Sequence, residues 1–152
     1  MNNQENKWVL ITGGAKRIGA KVAKTLHARG MNLAIHYNSS NHDAESLCEE
    51  LNNTRADSTL VFGANLTSDE AVESLIPNVL SKTGRLDVLI NNASTFYPTP
   101  IDDITNDDWD SLMGTNLKAP MFLSKHAAQY LRQTKGSIIN MVDIHASKPL
   151  SN

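Results

Sequence analysis

The segment Leu10-Ile11-Thr12-Gly13-Gly14-Ala15-Lys16-Arg17-Ile18-Gly19 joins an apolar run to the start of an amphipathic stretch. The apolar residues 8–11 predict a β-strand, and the glycines after them predict a tight turn into a helix. Such a turn leaves backbone N–H groups free at the positive end of the helix dipole, where a phosphate binds well. Because the glycine spacing is wider than G-x-G-x-x-G, an ordinary strand-to-helix turn stays open as the alternative.

The composition is that of an ordinary globular chain. Its 152 residues are enough for one domain with a core, and 40% of them are hydrophobic. A net charge of −2 gives no electrostatic footprint for nucleic acid or for an acidic membrane surface. Cys48 is the single cysteine, which excludes an internal disulfide and fits a reducing compartment. Residues 1–7 are polar, and no apolar run could span a membrane, so we expect a cytoplasmic protein.

Strand-like and helix-like runs alternate along the chain. The predicted strands cover residues 8–12, 32–37, 59–63, 86–90 and 137–142. The predicted helices cover residues 16–29, 41–53, 69–83 after an N-cap at Ser68, and 106–133. The last helix is expected to bury Trp109, Leu112, Met113 and Leu117 and to bend at Pro120. This alternation predicts an α/β fold with a doubly wound parallel sheet, because parallel neighbours need helical crossovers.

Polar residues follow the predicted strands at the point where each strand ends. They are Gly13, Asn38-Ser39-Ser40, Asn65, Asn91-Asn92-Ala93-Ser94 and Asp143, in strand order. Doubly wound sheets bind their ligands at the carboxyl ends of the strands. We therefore expect one ligand site in one domain. An Asn-Asn pair could also form a simple turn, since asparagine tolerates positive φ.

These motifs, together with Asn116 and the strand residues 138–142, resemble the short-chain dehydrogenase/reductase family over essentially the whole chain. The resemblance implies a Rossmann-like sheet with the strand order 3-2-1-4-5. A narrower resemblance is to pteridine reductases, carried by residues 15–19, 36–40, 92–100 and 140–143. Pteridine reductases share Arg17, where most of the family has glycine, and Asp143, where most of the family has serine.

Within this resemblance, the end of the second strand selects the cofactor. An acidic residue there would bind the ribose hydroxyls and select NAD. This chain has no carboxylate in residues 37–40, and hydroxyls, amides and Arg17 can hold a 2′-phosphate, so we expect NADPH. The implied cofactor contacts are Gly13, Arg17, Ile18, Gly19, His36, Tyr37, Asn38, Ser39, Ser40, Asn65, Leu66, Asn92, Ala93, Ser94 and Met141.

The same resemblance implies a pterin-like small-molecule substrate, held by Arg17, Ser94 and Phe96, with Phe96 stacking on the flat ring. Asp143 would relay a proton, and Asn116 would help to order a catalytic water. The alternatives are a solvated arginine at the helix start, a core phenylalanine, a helix-capping aspartate and a tolerated polar residue in a helix. The five histidines, His27, His36, His42, His126 and His145, lack metal-ligand spacing, so we expect no metal.

The family also uses a Tyr-x-x-x-Lys pair, and these 152 residues contain none. We therefore expect a single dinucleotide-binding domain over residues 1–152 that is the N-terminal part of a reductase, truncated before that pair. The complete protein would be a homotetramer, as its relatives usually are. Two other functions stay open: reduction of another carbonyl substrate, and a non-catalytic nucleotide-binding module.

Overall fold

Five short strands form one parallel sheet in the computed structural model, which describes residues 6–143. The strands are β1 (Trp8–Ile11), β2 (Asn32–Tyr37), β3 (Thr59–Gly63), β4 (Val88–Asn91) and β5 (Ser137–Asn140). Their spatial order is β3-β2-β1-β4-β5, and every neighbouring pair is parallel. The predicted Rossmann-like doubly wound sheet is confirmed.

Helices connect the strands where the sequence predicts them. They are α1 (Arg17–Ala28), α2 (Asn41–Thr54), α3 (Asp69–Thr83), α4 (Asn106–Met113) and α5 (Ala119–Thr134). The hydroxyl of Ser68 accepts a hydrogen bond from the amide of Ala71, which confirms the predicted N-cap of α3. Gly84 ends α3 at a φ of 70°, a left-handed conformation that glycine adopts without a Cβ clash.

The long helix predicted over residues 106–133 is divided by a π-helical turn at Gly114–Lys118. Pro120 has no amide hydrogen, so it cannot donate to the carbonyl four residues before it. The chain adjusts in the preceding turn, where the amide of Ala119 bonds to the carbonyl of Gly114, five residues back. The irregularity therefore lies in the turn before Pro120.

The apolar face predicted for this helix was wrong for two of its four members. Leu112 and Met113 are half-buried, whereas Trp109 and Leu117 are 58% and 56% exposed. The π turn adds one residue and so rotates the residues after it by about 100° around the helix axis. The buried stripe consequently continues on α5 through Leu123, Ala127 and Leu131. This rotation accounts for the exposure of Leu117; Trp109 precedes the turn, and nothing in the structure explains its exposure.

Apolar side chains cover both faces of the sheet. The layer under α3 and α5 contains Leu10, Leu75, Ile76, Val79, Leu89 and Leu123. The layer under α1 and α2 contains Val9, Ile11, Ala23, Ile35, Leu47 and Leu51. Successive β1 residues thus point into opposite layers, which fixes the register of the central strand. Within residues 6–143, no helix is long and apolar enough to cross a membrane.

Candidate functional site

An open cavity of about 690 Å³ lies at the carboxyl ends of β1 to β4. Every residue predicted to contact the cofactor lines it, with the single exception of Met141. The sequence did not single out Lys16, Thr67, Thr95, Ser111 and Thr115, which also line it. The loops after four strands therefore meet at one concave site, as the doubly wound topology predicts.

The turn between β1 and α1 requires its glycines for two different reasons. Gly13 has a φ of 60°, and a Cβ there would lie 3.0 Å from the Cα of Ala93. At Gly19 a Cβ would lie 2.3 Å from the carbonyl oxygen of Gly13, which is closer than any Cβ contact allows. Gly19 thus lets α1 begin directly against the turn, so that the helix N-terminus faces the cavity.

The first two amides of the turn are not the ones offered to an anion. The N–H of Gly13 donates to Nδ1 of His36 at 3.1 Å, and the N–H of Gly14 donates to the His36 carbonyl at 3.0 Å. A helix has no internal acceptors for its first amides. The N–H groups of Arg17, Ile18 and Gly19 are therefore the donors that α1 presents to a bound phosphate.

Two cationic side chains stand at the start of α1. Arg17 is exposed and adopts a φ of 50°, a left-handed conformation that costs a non-glycine residue about 1–2 kcal/mol. The ammonium of Lys16 pairs with the carboxylate of Asp43 in α2 at 2.8 Å, and this hydrogen bond lowers the pKa of Asp43. In the sequence, the position of Lys16 next to the glycine turn is the feature that could have identified it as a site residue.

The loop after β4 is fixed to the loop after β1. The amide side chain of Asn92 donates to the carbonyls of Thr12 and Gly13, at 2.9 and 3.0 Å. The backbone N–H groups of Asn92 and Ala93 both donate to the hydroxyl of Thr12. Neither Asn91 nor Asn92 has a positive φ, so the alternative of a simple left-handed turn is wrong.

The wall of the cavity that follows β2 and β3 contains polar side chains and no carboxylate. Tyr37, Asn38, Ser39 and Ser40 approach it from the loop between β2 and α2. Asn65 enters from the loop after β3, where its Oδ1 accepts from the amide and hydroxyl of Thr67 at 3.0 and 2.9 Å. Because Oδ1 is engaged, Asn65 would contact an adenine ring through its side-chain nitrogen.

Four predicted site residues lie outside the walls of this cavity: Phe96, Asn116, Met141 and Asp143. Phe96 is 74% exposed, which rules out the core alternative for this ring. The amide of Met141 donates to the carbonyl of Asn91 at 2.9 Å, beside β5. Asp143 is exposed at the last described position, and the alternative of a helix-capping aspartate concerns residues outside the described range.

Asn116 lies in the π-helical turn and binds the loop after β4. Its Oδ1 accepts from the amide of Thr95 at 3.0 Å, and its Nδ2 donates to the Thr95 carbonyl at 2.7 Å. The side chain thus pairs with both backbone groups of Thr95, as a residue of a neighbouring strand would. This excludes the alternative of a merely tolerated polar residue.

Among residues 6–143, no three His, Cys, Asp or Glu side chains group in a way that could hold a metal ion. His145 lies outside the described residues. Cys48 is half-buried, and burial raises the pKa of its thiol, which makes it a poor nucleophile.

Comparison with known proteins agrees with this geometry. The family model of short chain dehydrogenases matches residues 7–152. Pteridine reductase 1 of Leishmania tarentolae is 35% identical over 181 aligned positions, which cover 93% of this chain and 62% of the relative. A 3-oxoacyl-[acyl-carrier-protein] reductase of Staphylococcus epidermidis is 34% identical, with 91% and 57% covered.

Two solved structures extend the likeness to three dimensions. A short chain dehydrogenase from Burkholderia cenocepacia in complex with NADP superposes with a TM-score of 0.90 at 30% identity, covering 97% of this chain and 60% of that one. The alternative dihydrofolate reductase FolM of Brucella canis, complexed with NADP, gives a TM-score of 0.88 at 29% identity, with 95% and 59% covered. The chain spans about three fifths of the length of these relatives. It belongs to the short chain dehydrogenase family.

Proposed function

We propose that residues 1–152 form a single dinucleotide-binding domain, the N-terminal part of an NADPH-dependent reductase that acts on a pterin or dihydropterin. The observation that carries this proposal is the cavity at the strand ends. It combines a helix N-terminus with Lys16 and Arg17 and has no carboxylate at the end of β2. That combination suits a dinucleotide that bears an additional phosphate.

The proposed preference for NADPH over NADH rests on the charged and polar side chains at the start of α1 and in the loop after β2. Lys16 and Asp43 are about half exposed, at 55% and 48%, so their ion pair contributes little to stability. The ammonium of Lys16 can therefore exchange Asp43 for a 2′-phosphate at low cost. Ser39 and Ser40 add hydroxyl donors, and Arg17 can bind a phosphate with two parallel hydrogen bonds.

The substrate side is assigned to Arg17, Ser94 and Phe96. Bound NADPH supplies a hydride from its nicotinamide ring. Phe96 presents an open ring face on which a flat heterocycle can stack, and the Ser94 hydroxyl can hydrogen-bond to that heterocycle. Asp143 carries a proton toward a pterin nitrogen, and Asn116 keeps the Thr95 peptide in place while helping to order water.

The named relatives support two substrate classes. Pteridine reductase 1 and FolM favour a pterin. Arg17 and Asp143, which carry the motif resemblance to pteridine reductases, point the same way. The 3-oxoacyl reductase is nearly as similar, at 34% identity, and favours a carbonyl substrate of another class. The exposed aromatic ring of Phe96 and the cationic Arg17, two groups that suit a flat heterocycle, decide our preference for the pterin.

Assembly and location are part of the same proposal. The exposed apolar side chains of Trp109, Leu117 and Met121 on the helices after β4 support a homotetramer of the complete protein. The single cysteine supports a cytoplasmic location.

The test is turnover by the complete protein. With NADPH we expect oxidation of the cofactor when 7,8-dihydrobiopterin is added and a much slower rate with a 3-oxoacyl thioester. Faster reduction of the thioester would select the second class. If the protein does not bind NADPH, the proposal is wrong.

A further inference from the structure

His36 is the one imidazole of the cavity region whose two ring nitrogens are both engaged by backbone groups. Nδ1 lies 3.1 Å from the amide nitrogen of Gly13, and Nε2 lies 2.9 Å from the carbonyl oxygen of Ala64. The residue is 1% exposed. The sequence predicts a direct contact between His36 and the cofactor, but the ring has no nitrogen left to make one.

The two partners determine the tautomer of this ring. A backbone N–H can only donate, so Nδ1 must accept, and a backbone carbonyl can only accept, so Nε2 must donate. The imidazole is therefore neutral and carries its proton on Nε2. A second proton on Nδ1 would face the Gly13 N–H and break that hydrogen bond.

The ring of His36 lies where the ends of three neighbouring strands meet. The glycine turn follows β1, His36 lies in β2, and Ala64 follows β3, so one side chain connects the ends of three neighbouring strands. The carbonyl of His36 also accepts from the amide of Gly14 at 3.0 Å. Both amides at the beginning of the turn are thereby directed away from the cavity.

We propose that His36 is a positioning residue for cofactor binding, which holds the glycine turn through Gly13 so that the first amides of α1 face the diphosphate. The inference rests on the proposed binding of NADPH. It assigns to His36 an indirect role in place of the direct contact that the sequence suggested. Gly13, at a φ of 60°, is the point where the turn changes direction, so a hydrogen bond at its amide controls where α1 starts.

Two substitutions separate the two hydrogen bonds. His36→Asn places a carbonyl oxygen near the Nδ1 position and keeps an acceptor for Gly13. His36→Gln places an amide nitrogen near the Nε2 position and keeps a donor for Ala64. Each variant loses one buried hydrogen bond of similar length, so the two proteins should have similar melting temperatures.

The affinity for NADPH should differ although the stability does not. We expect His36→Asn to bind NADPH within about threefold of the wild type and His36→Gln to bind about tenfold more weakly, as one lost positioning hydrogen bond implies. Binding is measured by the fluorescence of titrated NADPH. Equal affinities of the two variants would overturn the proposal.

His27 provides the matched control. It is also buried, at 6% exposure, and its Nε2 lies 2.7 Å from the hydroxyl of Ser58. It belongs to the last turn of α1, at the opposite end of the helix from the cavity. His27→Gln should lower the melting temperature and leave NADPH affinity unchanged. A weakening like that of His36→Gln would show that affinity merely follows stability, which overturns the proposal.

A second measurement needs no cofactor. In the ligand-free protein, amide hydrogen exchange at Gly13 should stay slow in His36→Asn and become faster in His36→Gln. Nitrogen NMR of the wild-type ring should show a proton on Nε2 only. A protected Gly13 in both variants, or a proton on Nδ1, would overturn the inference even if NADPH binds. If the ring behaves as expected and the wild type does not bind NADPH, the cofactor proposal fails, and the positioning role fails with it.

Discussion

At the carboxyl ends of the strands, the proposed cofactor side is held by many internal contacts and the proposed substrate side by few. On the proposed cofactor side, Asn92 donates two hydrogen bonds to Thr12 across neighbouring loops, and Gly19 packs against the backbone of Gly13. On the proposed substrate side, Phe96 is 74% exposed. The contrast shows that contacts inside this chain order the proposed cofactor groove, whereas Phe96 on the proposed substrate side is exposed.

The edge strand repeats this contrast. β1, at the centre of the sheet, is buried along its whole length, but Ile138 and Ile139 in β5 are 39% and 46% exposed. Within the part of the chain that the structure describes, β5 pairs with β4 alone. An apolar edge of this kind invites further pairing. Changes on the cofactor side should therefore alter both folding and binding, and changes on the substrate side should alter catalysis alone.

The largest effect is expected for Gly19→Ala. Its Cβ would lie 2.3 Å from a backbone oxygen, so the helix must move away from the turn. We expect a loss of about 2–3 kcal/mol in the free energy of unfolding and no measurable NADPH binding. Urea unfolding and NADPH titration measure the two quantities. Gly114→Ala is the control, because its Cβ would only reach ordinary contact with Thr67 at 3.6 Å. Unchanged NADPH binding by Gly19→Ala would contradict the close packing of α1.

Next comes Phe96→Ala, which should separate the substrate side from the cofactor side. Because the ring is mostly exposed, the free energy of unfolding should change by less than about 0.5 kcal/mol. In the complete protein, kcat/KM for a dihydropterin should fall at least about tenfold, as the loss of a ring stack implies, while the NADPH Kd stays constant.

Ile101→Ala is the matched control for Phe96→Ala, since Ile101 is 83% exposed on the same segment and has no assigned role. It should leave both kcat/KM and Kd unchanged. A loss of NADPH affinity in Phe96→Ala, or an unchanged turnover, would remove the stacking role.

Acidification should weaken the cofactor side through its buried histidine. Burial lowers the pKa of His36 below the ordinary 6.5, only partly offset by its hydrogen bond to Ala64. Below pH 6.5 the unfolded chain then binds more protons than the native one. The neutral His36 therefore contributes its full stabilisation above pH 6.5, and this stabilisation is lost as the pH falls. The slope is at most about 1.4 kcal/mol per pH unit. Urea unfolding of His36→Asn between pH 8 and pH 5 should show a shallower decline, and an identical decline would contradict the neutral ring.

The smallest effect on folding is expected for Arg17→Gly, and it has the opposite sign. Glycine relieves the left-handed φ of 50°, and this gain exceeds its extra entropy cost, so the variant should be more stable by up to about 1 kcal/mol. NADPH should nevertheless bind several-fold more weakly, because one cation is gone. Arg17→Asn is the control, since asparagine also tolerates this conformation. A variant that gains stability and keeps its affinity would show that Arg17 has no part in phosphate binding.

Much of this organisation could be predicted from local sequence. The apolar run before Gly13, the Ser68 cap and the glycine at position 84 act over a few residues, so their pattern is readable directly. The strand order came from the family resemblance. The site residues converge because parallel strands end at one edge of the sheet.

The features that sequence reasoning missed depend on distant partners. Lys16 meets Asp43 across two helices, and His36 meets Gly13 and Ala64 across three strands. The π turn before Pro120 shifts the phase of the helix, so a periodic pattern extended across it misplaces the apolar face. Periodicity contains no information about such long-range pairs.

One measurement tests the central claim most directly: parallel titrations of this protein with NADPH and with NADH, monitored by cofactor fluorescence. The account predicts saturable binding of NADPH with a Kd at least about tenfold below that of NADH, since only NADPH carries a 2′-phosphate with which Lys16 and Arg17 can pair. Equal affinities, or a preference for NADH, would contradict the assignment of this cavity to a 2′-phosphate.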